Sequence, residues 1–126
     1  MGGDPFSPER GREQVVFAVQ DGDFQSGETI LATLENHSAQ RLGYNLCFAE
    51  LQLRIEDAWS SVARQEEEHF CTLILLSLAP GQSASFSQPV LAQFPDGLYR
   101  FETGIEWPLD TGQRFSVVTE SFRIGD

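Results

Sequence analysis

Carboxylates are the most numerous chemistry-bearing residues of this 126-residue chain, which has 19 Asp and Glu but only two His and two Cys. Asp21 and Asp23, in an Asp-Gly-Asp turn with Glu28 nearby, could offer oxygen ligands to Ca²⁺. The further ligands of a complete calcium loop are missing, and Asp-Gly is first of all a turn sequence. A softer metal would have to use His37 and His69 with the two cysteines, which is a sparse ligand set. We therefore predict no metal site and no cofactor.

Nucleophilic catalysis is not supported either. Both histidines lie in loop-like contexts and no nucleophile elbow is present, so a Ser-His-Asp triad cannot be assembled. Cys47 with a distant histidine could imitate a thiol enzyme, but a cysteine buried in a strand is usually inert. The sequence thus predicts that the protein is not an enzyme.

The two cysteines, Cys47 and Cys71, both fall in strand-like segments. A disulfide between them would stabilise the fold by roughly 3 kcal/mol in the chain-entropy model, and it would imply an oxidising compartment. The alternative is a pair of buried free thiols that pack as small hydrophobic groups. We favour the disulfide, and with it an extracytoplasmic protein that is periplasmic, envelope-attached or secreted.

An acidic run in the middle of the chain is the candidate interaction loop. It is too polar for a core strand and is predicted to be an exposed loop or a single helical turn. Such a run could bind a divalent metal or a basic partner surface, although a run of charges is more often a solvated face. Its residues are Arg64, Gln65, Glu66, Glu67, Glu68 and His69.

The formal net charge is −11, and all eight basic residues are Arg. This field repels nucleic acid and anionic membranes, so we predict neither as a partner. The absence of Lys with an excess of acid resembles adaptation to high salt, and a GC-rich genome with an ordinary acidic surface explains it equally well. No apolar run is long enough for a membrane helix. Residues 1–13 lack the apolar core of a signal peptide, so we expect an export signal to be missing from this chain.

The elements that must position these residues show a period of two, with turn residues every few positions, as in an all-β fold. Residues 1–13 are predicted to be a disordered leader and residues 14–126 a single domain of seven or eight strands, a Greek-key sandwich or a small barrel. Tyr99 begins an inward stripe that ends at Trp107, and a β-bulge is expected between Val117 and Glu120 because the apolar residues change parity there. Trp59 and Trp107 are both predicted in the core. A strand over 42–48 and a strand buried on both faces over 70–78 are also expected.

The order of motifs resembles a known group of domains. The motifs are Asn36, Tyr44-Asn45-Leu46-Cys47, Trp59, Cys71, Leu78-Ala79-Pro80-Gly81-Gln82 and Pro95-Asp96-Gly97-Leu98-Tyr99-Arg100. Over residues 14–124 this order resembles bacterial immunoglobulin-like domains of the envelope or secreted type, which include the BsuPI-type proteinase-inhibitor domains. The resemblance implies an immunoglobulin-like Greek-key β-sandwich with Tyr99 at a tyrosine corner. The residue two after Tyr99 is Phe101 and not Cys, so the two cysteines do not match the usual inter-sheet bridge.

These features predict a non-catalytic extracytoplasmic interaction or accessory domain that is monomeric in isolation. It would engage a protein or polymer through its loops or a sheet edge. The alternative is a BsuPI-like proteinase inhibitor that acts through the exposed loop over 63–70. A carbohydrate-binding module is the third possibility, and it requires that Trp59 or Trp107 be exposed.

Overall fold

The computed structural model describes residues 5–64 and 74–125, which form two packed antiparallel sheets after one short helix. The helix is α1 (Pro8–Gln14), and a 3₁₀ turn occupies Leu46–Phe48. The strands are β1 (Val15–Val19), β2 (Thr29–Asn36), β3 (Leu42–Tyr44), β4 (Glu50–Ile55), β5 (Ala58–Arg64), β6 (Leu76–Leu78), β7 (Ser83–Pro89), β8 (Gly97–Glu106), β9 (Arg114–Val118) and β10 (Phe122–Ile124). No helix in this part of the chain is long and apolar enough to cross a membrane.

The small sheet has the order β1-β2-β7, and the large sheet is built around β8. One side of β8 pairs with β4 and β3, which continue outward to β5 and β6, and its other side pairs with β10 and β9. The core lies between the sheets, where the predicted inward stripe from Tyr99 to Trp107 is buried. The Tyr99 hydroxyl donates to the backbone oxygen of Pro95, as at a tyrosine corner. The predicted all-β immunoglobulin-like sandwich is therefore confirmed.

Ten strands are described, against seven or eight predicted; the expected last strand is divided in two, and the expected strand over 42–48 is shortened. The expected strand over 42–48 ends at Tyr44, because the side chain of Asn45 accepts a hydrogen bond from the amide of Cys47 and caps the 3₁₀ turn. An Asn side chain that bonds the backbone two residues on competes with extended structure in this way. Cys47 therefore lies in a turn, and its predicted position in a strand is wrong.

The expected last strand is divided into β9 and β10. Val118 faces Glu102 across the sheet and Phe122 faces Tyr99, so four steps along the outer strands match three steps along β8. One extra residue is accommodated here, as in a β-bulge, and the predicted irregularity at this position is confirmed.

Residues 8–13 differ from the predicted disordered leader because they belong to α1. The Ser7 side chain accepts from the amide of Arg10, and a proline occupies the first turn, where its missing N–H costs nothing. Gly11 is the buried residue of the helix, and it packs against the rings of Trp107 and Phe115. A close contact through glycine leaves no apolar stripe in the sequence, which explains why the helix was missed.

Trp59 is also placed differently from the prediction. The β4–β5 connection is a two-residue turn, with Glu56 at a φ of 59°, so Ile55 pairs with Ala58 and Arg54 with Trp59. This pairing puts Trp59 on the outer face beside Arg54, whereas counting parity along the chain assigns it to the inner face with Leu53. Trp107 is 1% exposed, and its predicted place in the core is confirmed.

The expected strand over 70–78 is described only from residue 74. Ile74, Leu75 and Leu76 are 56%, 43% and 45% exposed, while Leu78 is buried. The described part is therefore not buried on both faces, because β6 lies at the outer edge of its sheet, next to β3 alone among the described strands.

Candidate interaction groove

A half-open groove of about 590 Å³ separates the small sheet from the end of the large one. One wall is β1 with the turn that follows it, over residues 16–23, and the other wall is residues 120–123 with Leu98. Its volume lies within the range of about 300–1,000 Å³ that ligand sites commonly have. We name this feature the β1 groove.

The wall formed by β1 presents backbone groups that have no neighbouring strand. Among the described strands β1 pairs only with β2. The amide of Gln20 donates to Leu31 and the amide of His37 donates to Gln14, so the even-numbered residues of β1 carry the ladder to β2. Antiparallel ladders alternate, and the N–H and C=O of Phe17 and Val19 therefore point away from β2. No backbone hydrogen bond to another described strand engages them.

The edge of β9 that also lies on this open side is covered. Arg12 of α1 donates from Nε to the backbone oxygen of Ser116 at 3.3 Å, and its guanidinium lies 5.0 Å from the centre of the Phe115 ring. A charged side chain over a strand edge prevents another chain from pairing there. The helix thus covers the edge of β9, and β1, which lies near β9 without pairing with it, keeps among the described strands an unpaired edge where it lines the groove.

The far end of the groove is held by the segment that leads into β2. The amide of Phe24 donates to the oxygen of Arg123, and the amide of Gly125 donates to the oxygen of Phe24. The buried Phe24 ring meets the ring of Phe122 edge to face, with centroids 5.6 Å apart. These contacts fix the two walls relative to each other at this end.

The charges along the groove are mainly negative. Asp21, Asp23 and Glu120 line it with a single basic side chain, Arg123, and all four residues are exposed. The Asp-Gly-Asp turn considered as a calcium ligand is therefore part of the groove wall. The carboxylate of Glu28 accepts a hydrogen bond from the amide of Gln25 at 2.6 Å. Within residues 5–64 and 74–125, no three His, Cys, Asp or Glu side chains are grouped to hold a metal.

Only the first residue of the predicted interaction loop is described. Arg64 ends β5, and its Nε lies 3.4 Å from a carboxylate oxygen of Glu50. The rest of that loop, residues 65–69, lies outside the described residues, as does Cys71. The loop and the Cys47–Cys71 bridge therefore stay predictions. The β1 groove was missed because its key groups are backbone atoms, and the acidic Asp21–Asp23 turn after a short strand was the only sign of it in the sequence.

The outer face of the large sheet carries a polar cluster under Trp59. The guanidinium of Arg100 lies 4.4 Å from the centre of the Trp59 ring and donates to Gln52 Oε1 at 2.7 Å. The amide nitrogen of Gln52 donates to Glu50 at 2.6 Å. Gln52 is only 6% exposed, so this network serves to satisfy a buried amide within the protein.

Comparisons with known proteins give the fold a distant parallel. No family model matches the chain, and no curated protein matches it. Among solved structures, the chain is similar to the ASH / PapD-like domain of human CEP192 (PapD-like domain 7), with 14% sequence identity and a TM-score of 0.40. The match covers 100% of this chain and 91% of that one. At this identity the likeness concerns the fold alone, and nothing about function follows from it.

Proposed function

We propose that this protein is a non-catalytic interaction domain that binds an extended segment of a partner protein along the free edge of β1. The observation that carries the proposal is the direction of the Phe17 and Val19 backbone groups into an open groove. An extended peptide that adds to a sheet edge gains affinity from backbone hydrogen bonds of this kind. Folded proteins usually protect such edges, as Arg12 does on β9, so an edge left open beside a groove suits a binding role.

The size of the edge sets the expected strength of binding. Phe17 and Val19 together offer two donors and two acceptors. A hydrogen bond contributes a net of about 0.5–1.5 kcal/mol, so four of them supply roughly 2–6 kcal/mol. Association and the ordering of a peptide cost several kcal/mol, which apolar contacts in the groove must offset. We therefore expect micromolar or weaker dissociation constants for short segments.

A proline scan of β1 provides the test. In Val19→Pro the lost N–H is the one that faces the groove, and proline is tolerated on edge strands at such positions. We expect this variant to remain folded by circular dichroism and to lose segment binding. The matched control, Ala18→Pro, removes a ladder bond to Thr33 and should destabilise the fold.

Amide exchange of the unmodified protein provides an independent measurement. The amides of Phe17 and Val19 should exchange quickly in the free protein, and those of Val16 and Ala18 slowly. A bound segment should slow the first pair. Slow exchange of all four amides in the free protein would contradict the proposed free edge.

An extracytoplasmic location is part of the proposal. It is supported by the predicted pairing of Cys47 with Cys71 and by the resemblance to envelope and secreted domains. A thiol titration of the denatured, unreduced protein should find no free thiol, and two free thiols would remove this support. Stability that rises toward molar salt would favour adaptation to high salt, while no rise would favour an ordinary acidic surface.

A carbohydrate-binding module is the second candidate, and the outer-face position of Trp59 favours it. Isothermal titration with soluble polysaccharides, compared with Trp59→Ala, tests this role. The BsuPI-like inhibitor remains an alternative on the sequence resemblance alone. Its test is inhibition of a panel of serine proteases, and no inhibition at micromolar concentration would remove it.

A further inference from the structure

We infer that the segment bound in the β1 groove is basic, with apolar side chains at alternate positions and Arg or Lys at the end nearest the Asp21–Asp23 turn. This inference rests on the proposed edge pairing and specifies its ligand. It concerns the chemistry of the partner, which edge pairing alone leaves open because backbone hydrogen bonds are indifferent to side chains.

The charge of the groove selects a basic partner. Asp21, Asp23 and Glu120 outnumber Arg123 along its walls, and the whole chain has a net charge of −11. Complementary charge speeds encounter and suppresses partners of like charge. A second copy of this chain would bring another −11 to an acidic groove, so self-association through β1 is disfavoured. The favoured occupant is a segment of a different, basic protein.

The alternation of β1 sets the pattern of side chains. Phe17 faces the core, and Val16, which is 40% exposed, faces outward. A strand added to the same edge continues the pleat, so its alternate side chains point to the gap between the sheets. On the side of the large sheet that gap is bounded by Phe122, which is 8% exposed and faces the buried Tyr99 across the sheet. Leu98 pairs with the exposed Arg123 and lies on the other face of that sheet. Apolar residues at every second position of the segment would point towards Phe122 in this gap.

Three synthetic heptapeptides with blocked ends test the inference. Each alternates valine with threonine, and each carries two terminal residues that are arginine, glutamine or glutamate. Binding is followed by NMR titration of the Phe17 and Val19 amides at low salt and at 0.5 M salt. We expect the arginine peptide to bind most tightly, the glutamate peptide not to bind, and salt to weaken the arginine complex.

Charge-neutral variants locate the interaction. Asp21→Asn, Asp23→Asn and Glu120→Gln should each raise the dissociation constant of the arginine peptide about two- to fivefold, as expected for exposed ion pairs. The triple variant should raise it by at least about tenfold. The matched control is Asp57→Asn in the exposed β4–β5 turn, which should leave the dissociation constant unchanged.

The outcomes separate the inference from the proposed function. Equal binding of the glutamine and arginine peptides would overturn the basic ligand and leave edge pairing intact. If none of the peptides shifts the Phe17 and Val19 amides, both the inference and the proposed function are wrong. A dimer in sedimentation experiments that Val19→Pro dissociates would make a second copy the occupant, and would overturn the inference.

Discussion

Replacing Gly11 by alanine tests whether α1 is packed against the sandwich. In an unattached helix this change should stabilise, because glycine in a helix interior costs about 1 kcal/mol relative to alanine. In the structure, the added Cβ would lie 2.5 Å from Cζ of Phe115 and 2.8 Å from Cε3 of Trp107. Real Cβ atoms do not come this close to other atoms, so the helix or the rings must shift.

The rings have little freedom to shift. Trp107 is 1% exposed, and its indole N–H donates to the Ser38 hydroxyl at 2.9 Å. Phe115 lies edge-on to Trp107, with ring centroids 6.4 Å apart. Overpacking of such a site costs about 1–3 kcal/mol, which exceeds the gain in helix propensity over most of that range. After the gain of about 1 kcal/mol from helix propensity is subtracted, we expect Gly11→Ala to lower the free energy of unfolding by up to about 2 kcal/mol.

Urea unfolding followed by circular dichroism measures this change. The matched control is Glu13→Ala, an exposed position in the same helix, where the free energy of unfolding should change by less than about 0.5 kcal/mol. If Gly11→Ala stabilises the protein by about 1 kcal/mol, then α1 does not contact Trp107 and Phe115 as described. That result would also remove the argument that Arg12 covers the edge of β9.

Three further changes have expected outcomes. Burial, and to a smaller extent the Asp96 carboxylate, raises the pKa of Tyr99, so above about pH 10 the folded tyrosine keeps its proton while the unfolded one loses it. The free energy of unfolding should therefore fall as the pH rises above about 10, and it should fall less in Tyr99→Phe. Urea unfolding at about pH 9–11 measures this difference. Thr103 Oγ1 is buried without a hydrogen-bond partner among the described residues. Thr103→Val should therefore increase the free energy of unfolding by about 1 kcal/mol and raise the melting temperature, which thermal unfolding measures. Asn36→Ala should lower the free energy of unfolding in urea by about 2–4 kcal/mol. The buried Asn36 side chain donates to two backbone oxygens and accepts from the Ser38 hydroxyl, and the substitution removes all three hydrogen bonds.

The sequence predicted the fold best where a strand has one buried face and a regular partner. The β8 stripe is such a case: Tyr99, Phe101, Ile105 and Trp107 recur at odd positions and are all buried. The change of parity after Val117 also predicted the irregularity between β9 and β10 correctly. In both cases the period of two is imposed directly by burial, so it is visible in a single sequence.

The predictions failed where a short local interaction changes the geometry. Across the two-residue turn, odd-numbered residues of β5 share a face with even-numbered residues of β4, as Trp59 does with Arg54. Counting odd and even positions along the chain therefore assigned Trp59 to the wrong face. The Asn45 side chain ended a strand that hydrophobic spacing had extended through Cys47. Helix α1 contacts the core through Gly11, which has no side chain to show the contact. Each failure comes from one residue whose effect depends on backbone conformation.

The candidate site could not be predicted because its donors and acceptors are common to every residue. A five-residue strand has the same sequence pattern at an edge as in the centre of a sheet, and only the topology decides which backbone groups are left unpaired. Here β1 pairs only with β2 among the described strands, while Arg12 donates to the backbone oxygen of Ser116 and covers the edge of β9. An alanine scan would therefore leave the edge-pairing groups of Phe17 and Val19 in place and detect mainly the charges around them. Proline substitution removes a backbone donor, so it is the change that can separate binding by the β1 edge from binding by the side chains of the groove.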